Sequence, residues 1–190
     1  MNLENLLKRY HEAGAKTFPG DWDPSYALSL LASEELCRQL DTLKPKSILE
    51  LGSGSSSVVV RAWLKKHPDV VLVTGEHNPE WIVWVKEHLK GEGLEERTFK
   101  SMADVRAGKE KFDFCFVDHG PAMQTRLDDL SWIIVRCDHL VLDDWRTQVK
   151  PRHTQRVDRY LRSKGLVPVI LEGSRSDPVQ RALAYCKGLP

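Results

Sequence analysis

Five acids and one glycine-rich turn carry the chemistry this sequence can do. The turn lies in "SILELGSGSSS", Ser47 to Ser57, where Gly52 and Gly54 follow Glu50 and a run of serines follows the glycines. A carboxylate at a strand end accepts hydrogen bonds from a ligand ammonium, and glycines let backbone approach the same ligand closely. Glu76 closes the next apolar stretch, "VVLVTGE", roughly the twenty residues on at which an acid meets ribose hydroxyls in nucleotide folds. A ligand with an amino-acid end, a nucleoside end and no phosphate would use both acids; S-adenosylmethionine is that ligand. The other three acids are Asp118 in "FVDHG" and Asp143-Asp144 in "LVLDDW".

Two competing readings of the turn fail on single residues. A phosphate-gripping loop needs Lys and Ser/Thr after its last glycine, and Gly54 is followed by Ser55 and Ser56. A dinucleotide fingerprint needs a third glycine for close helix–strand packing, and that place holds Ser57, with Glu50 charging the strand before it.

The elements that must position these residues alternate. "SILEL", "VVLVTGE", "ERTFKS", "FDFCFVD" and "HLVLDD" read as strands, with helical stretches between several of them. Asn78-Pro79-Glu80 is a helix start: cap, proline in the first turn, acid at the positive end. "LVPVILE" and "RALAYCK" are separated by "GSRSDPVQ", which holds no helix, so they are expected to pair antiparallel. Before the first strand come two amphipathic helices, one with Leu3, Leu6, Leu7 and Tyr10 on a face and one with Leu28, Leu31, Leu36 and Leu40. The expectation is one α/β domain over 1–190, with 1–45 as a helical lid or brace and 46–190 as the ligand-binding core.

Bulk properties agree. A chain of 190 residues suits one well-cored domain. Its 28 basic and 27 acidic side chains leave no basic excess for a phosphate backbone, so nucleic acid is not an expected partner. There is no apolar run of membrane-spanning length and no signal-peptide layout. Cys37, Cys115, Cys137 and Cys186 form no C-x-x-C pair and are expected as reduced thiols in a cytoplasmic protein. Nothing in the sequence specifies an oligomeric state.

"LELGSGSSS", "VTGEHNPE", "FDFCFVDHG" and "LVLDDW", in that order, resemble the successive motifs of class I S-adenosylmethionine-dependent methyltransferases, over Ser47 to Pro190. The resemblance implies a Rossmann-like, doubly wound, mostly parallel seven-stranded sheet of order 3-2-1-4-5-7-6, the last strand antiparallel. It implies a cofactor-binding set of Glu50, Gly52, Ser53, Gly54, Ser56, Glu76, His77, Met102, Ala103 and Asp118. In that set Glu50 and Gly52 line the methionine end, Glu76 holds the ribose, and Met102 or Ala103 lies near adenine. Ser56 stands where the family often has a third glycine.

With strands four and five adjacent in the family's order, about 4.8 Å apart, Asp118, Asp143 and Asp144 converge. Carboxylates crowded so closely repel one another unless a proton or cation joins them, and an oxygen-only set suits Mg²⁺. Bound metal lowers a hydroxyl's pKa and fixes its position. This layout resembles the metal-dependent O-methyltransferases of the catechol, caffeoyl-coenzyme A and macrocin types. The catechol group's catalytic lysine falls near Pro121, so the base is expected from His119 or His153, with Asp118 a further catalytic candidate. Phe18, Trp22, Tyr26 and Trp145 are candidate walls of an acceptor pocket. The expected activity is O-methylation of a small hydroxylated compound with Mg²⁺ assistance. The alternatives are N-methylation of a protein or nucleic acid, which "DHGP" in place of a Pro-Pro-aromatic turn disfavours, and a non-catalytic cofactor-binding subunit.

Overall fold

A computed structural model describes residues 2–18, 27–119, 123–145, 152–171 and 182–187, the side chains of 123–125, 152, 153 and 187 not among them. After helices α1 (Leu3–Thr17) and α2 (Leu30–Leu43), the chain alternates through β1 (Ser47–Leu51), α3 (Ser55–Leu64), β2 (Val71–Glu76), α4 (Pro79–Gly91) and β3 (Thr98–Ser101). It continues as α5 (Met102–Ala107), β4 (Phe112–Val117), α6 (Met123–Ile133), β5 (Cys137–Leu142), α7 (Arg152–Ser163), β6 (Val169–Ile170) and β7 (Ala184–Lys187). The seven strands lie in the order β3-β2-β1-β4-β5-β7-β6. β1 to β5 pair in parallel, and β7 runs antiparallel to both β5 and β6. The expected order and the antiparallel close are both present.

Period-two alternation sorts each strand's side chains between the two faces. Ile48, Leu72, Phe114, Phe116 and Val141 pack against α1, α2 and α3. Leu49, Leu51, Cys115, Val117, Leu140 and Leu142 pack on the other face with Met102 and Val105 of α5, Leu130 and Ile133 of α6, and Val157 and Leu161 of α7. Both faces are covered, which is why the central strands read as near-continuous apolar runs.

α1 closes one corner of the sheet against α4. Tyr10 meets Trp84 edge-on at 5.3 Å between ring centroids and His88 at 5.2 Å, and Phe18 meets Trp81 at 4.6 Å. Arg9 grips Glu92 with two 2.7 Å bonds at the far end of α4. Among the described residues no helix is long and apolar enough to cross a membrane.

Candidate active site

The parallel strands end together. Gly52 N–H donates to the Gly75 carbonyl (2.8 Å), Asp118 N–H to Leu51 (2.7 Å) and Asp143 N–H to Val117 (3.1 Å). The turns after β1, β2, β4 and β5 therefore share one rim. Gly52 is required there: its φ is +91°, and a Cβ on it would collide with the Asp118 carbonyl and the His119 nitrogen.

Glu76 ties two of these turns. Its Oε2 accepts from the Ser53 N–H (2.8 Å) and the Ser53 hydroxyl (3.2 Å), and its Oε1 accepts from the N–H groups of His77 (2.6 Å) and Asn78 (3.0 Å). The Trp81 indole donates to the Ser53 carbonyl at 2.6 Å, so α4 clamps the same loop. Tyr10 reaches in from α1; a Cβ on Gly54 would stand 3.4 Å from its hydroxyl. Burial, and then the carboxylates of Asp118, Glu50 and Glu76, push the Tyr10 phenol well above its ordinary value. It stays a neutral hydroxyl over the glycine turn. Only its helical face, not this contact, was legible in the sequence.

At the other end of the rim Asp118, Asp143 and Asp144 each bring a carboxylate oxygen within 4.8 Å of the others. Arg126, from α6, sits among them with its side chain only 3% exposed. Its Nη2 donates to Asp118 Oδ1 (3.0 Å) and Asp144 Oδ2 (2.9 Å), its Nη1 to the Asp143 carbonyl (2.6 Å) and its Nε to the His119 carbonyl (3.2 Å). Burial alone would lower this guanidinium's pKa; the three carboxylates outweigh it and push the pKa up.

His119 belongs to a different cluster. Its Nε2 meets Asp129 Oδ2 at 2.7 Å, and Asp129 also accepts from Arg106 (2.6 and 2.9 Å) and the Trp132 indole (2.8 Å). Burial opposes ionisation of Asp129, but the donors from His119, Arg106 and Trp132 together hold its carboxyl far below the ordinary range. An ionised carboxylate only accepts, so Nε2 carries the hydrogen. The ring stacks on His77 at 5.5 Å, and its Nδ1 is buried with no hydrogen-bond partner among the described residues.

No protein-family model and no curated protein matches the sequence. Solved structures do match the fold. The O-methyltransferase TomG of Streptomyces achromogenes, involved in tomaymycin synthesis and in complex with S-adenosylmethionine, aligns at TM-score 0.71 with 17% identity, over 97% of this chain and 90% of that one. A Podospora anserina methyltransferase with S-adenosylhomocysteine bound aligns at 0.70 with 20% identity, over 97% and 88%. An O-methyltransferase from Bacillus cereus, in complex with S-adenosylhomocysteine, aligns at 0.67 with 15% identity, over 97% and 90%. The chain has the class I methyltransferase fold.

On this methyltransferase fold several expected site residues have other positions. Glu50 is the penultimate residue of β1 and shares the parity of Ile48, so it points into the α3 face and not at the rim. It is wholly buried, and its oxygens accept from Ser56 (2.7 Å), Ser57 (2.9 Å), Thr74 (2.8 Å) and Arg61 (3.2 Å). The expectation that it holds a ligand ammonium is corrected: it anchors the turn from beneath. Ser56 likewise spends its hydroxyl on Glu50. Met102 is buried in the core, its sulfur below Gly75, which leaves exposed Ala103 at the start of α5 as the residue facing outward. Trp145 is buried in the α6–α7 face, where it packs the core. Phe18 packs on Trp81 and Trp84. Trp22, Tyr26, Pro121 and the His153 side chain lie outside the described residues.

The functional residues the sequence reading missed are mostly arginines: Arg61, Arg106 and Arg126. The available signal was weak. Arg61 and Arg126 lie in helices that follow rim strands and Arg106 in the helix after β3, but a helical arginine is ordinarily exposed, as Arg106 is.

Proposed function

We propose that this chain is an S-adenosylmethionine-dependent O-methyltransferase acting on a small hydroxylated compound. The observation that carries the reading is Glu76: an acid on the last residue of β2, bridged to the glycine turn, on a fold shared with O-methyltransferases holding this cofactor. S-adenosylmethionine supplies a methyl group on a sulfonium, which an oxygen lone pair displaces in line to leave the thioether.

The residues present fit that ligand. Gly52 lets the turn after β1 pass tightly against the Asp118 carbonyl, Gly54 carries no side chain beside the Tyr10 hydroxyl, and the N-terminus of α3 offers backbone N–H groups to a carboxylate. The Tyr10 hydroxyl faces the same place. The Ser53 hydroxyl makes a 3.2 Å bond to Glu76, longer than the 2.8 Å bond from its own N–H, and a ribose hydroxyl replaces it there. Ala103, His77 and His119, whose Nδ1 has no partner among the described residues, frame the nucleoside end, so His119 is assigned to binding, with Asp129 setting its tautomer. His153 carries no role in this reading.

Asp118 and Asp144 face the acceptor end, with side chains 20% and 32% exposed. They accept the hydrogen bond of the incoming hydroxyl, orient its lone pair and take its proton. Alignment of this kind supplies about 7–11 kcal/mol of rate enhancement. Donor type suits Mg²⁺ at Asp118, Asp143 and Asp144, but the Arg126 guanidinium already binds two of the three acids directly. We infer that this set, with a buried guanidinium among its oxygens, does not fit a divalent cation.

Calorimetry tests the binding half of the proposal. S-adenosylhomocysteine should bind at about micromolar affinity, roughly −8 kcal/mol, and NAD far more weakly. Equal affinities would refute the assignment of Glu76. Labelled S-adenosylmethionine with pooled hydroxylated compounds tests transfer, and tight binding without any transfer to any pool would favour a non-catalytic subunit.

A further inference from the structure

We propose that Arg126 takes the place of a divalent cation at the acceptor end, so that the chain carries its own positive charge and works without metal. The inference rests on the methyl-transfer reading for its consequence but on side-chain geometry for its substance. Three carboxylates with oxygens within 4.8 Å of one another repel unless a proton or cation joins them, and among the described residues Arg126 bonds two of the three. Its guanidinium is almost wholly buried, bonds Asp118 and Asp144 through one nitrogen, and is fixed by the carbonyls of His119 and Asp143 through the other two.

Four of its five N–H groups are thereby committed to the turns after β4 and β5. Those are the two turns on which the three acids sit. A divalent ion drawing the same oxygens to itself would have to break the bonds to Asp118 and Asp144 and share a small volume with a buried like charge. Guanidinium is also the cation least able to escape by losing a proton. The arrangement serves the reaction as a metal would in two respects: it holds the acids in one geometry and places positive charge beside an oxygen that gains negative charge as its proton leaves. Arg126 is a positioning residue, because the groups it touches are the acids and not the substrate.

Manganese titration followed by electron paramagnetic resonance tests this on the full-length chain. The wild-type protein should leave the signal of free Mn²⁺ undiminished. Arg126→Met removes the guanidinium bonded to Asp118 and Asp144, so the variant should bind one Mn²⁺ per chain and lose it again when Asp144→Asn is added. A purely structural arginine would not create a metal site on removal. Wild-type protein that binds one Mn²⁺ per chain, with binding lost in Asp144→Asn, overturns the proposal; so does a folded Arg126→Met variant that binds none. Should Arg126→Met fail to fold, the wild-type titration decides alone. Methyl transfer, once an acceptor is found, should run equally in EDTA and in Mg²⁺, and dependence on added metal would also overturn it. Complete absence of methyl transfer would remove the functional reading and leave the Mn²⁺ result standing.

Discussion

Replacing Arg61 with methionine should destabilise the protein severely, without the variant touching any ligand. Arg61 and Glu50 have side chains 1% and 0% exposed and meet at 3.2 Å. Arg61 also donates to the Glu96 carbonyl twice (2.9 and 3.0 Å), to Thr74 (3.0 Å) and to the Ser57 carbonyl (3.3 Å), and lies 4.5 Å over the Phe99 ring. Methionine retains much of the volume and none of the charge. Breaking a buried pair from one side costs about 3–5 kcal/mol because the other charge stays buried. Three hydroxyls, from Ser56, Ser57 and Thr74, still solvate Glu50, which argues for the lower end, about 3 kcal/mol. At this chain length each kcal/mol moves the melting point by about 2–4 °C, so a fall of roughly 6–12 °C is expected. Urea unfolding followed by circular dichroism measures it. Adding Glu50→Gln to Arg61→Met removes the stranded charge and should restore part of the loss. Two results would refute the reasoning: Arg61→Met within 1 kcal/mol of wild type by the scale of ordinary surface changes, or a double variant no more stable than the single one.

Two further outcomes follow from the rim and the α1 seam. Glu76→Gln should weaken S-adenosylhomocysteine binding by about 1.5–3 kcal/mol, the range for bonds to a charged group, in calorimetry on folded protein; unchanged affinity would make Glu76 a loop anchor only. His11 and His88 are held below 6.5 chiefly by burial. Their neutral forms support the fold fully above that value, and the unfolded chain takes up protons first as pH falls below it, so stability should drop as pH falls from 6.5 towards the lowered folded values. Urea midpoints independent of pH across that window would contradict this.

Much of the fold was legible because parallel strands covered on both faces must be apolar runs, and "FDFCFVD" admits little else. The strand-end acids Glu76, Asp118, Asp143 and Asp144 were legible for the same reason: charge at the end of such a run has to face the rim. α5 was not, because six residues carry too little period; its one signal was Ser101 three places before Asp104, whose N–H the Ser101 hydroxyl accepts at 3.1 Å. β6 shrinks to Val169–Ile170, next to Pro168, which has no N–H to give a strand ladder. Glu50 was legible as a strand-end acid but not as a buried one. Proximity to the glycines suggested a ligand contact, yet counting by twos from Ile48 already assigned its side chain to the helix face.

The acids of this chain were readable and their partners were not, and the asymmetry has a physical origin. Glu50 has Arg61 of α3, Asp129 has Arg106 of α5, and Asp118 with Asp144 has Arg126 of α6. Arg61 and Arg126 come from helices that follow rim strands and return, buried, to the sheet from places that pattern alone marks as solvent, while Arg106, in α5 after β3, reaches Asp129 with its side chain 42% exposed. Charge buried in this way is costly unless paired, which makes each pair a constraint on geometry as much as a source of stability. Asp144 shows the constraint in its backbone: its φ is +57°, a region aspartate enters more readily than most residues, and its carboxylate reaches the guanidinium from there. A rim whose acids are already oriented by arginines is set before any ligand arrives. Of the two acids bonded to Arg126, Asp144 is the more exposed, and under the proposed O-methylation it is the side from which an acceptor hydroxyl would reach the cluster.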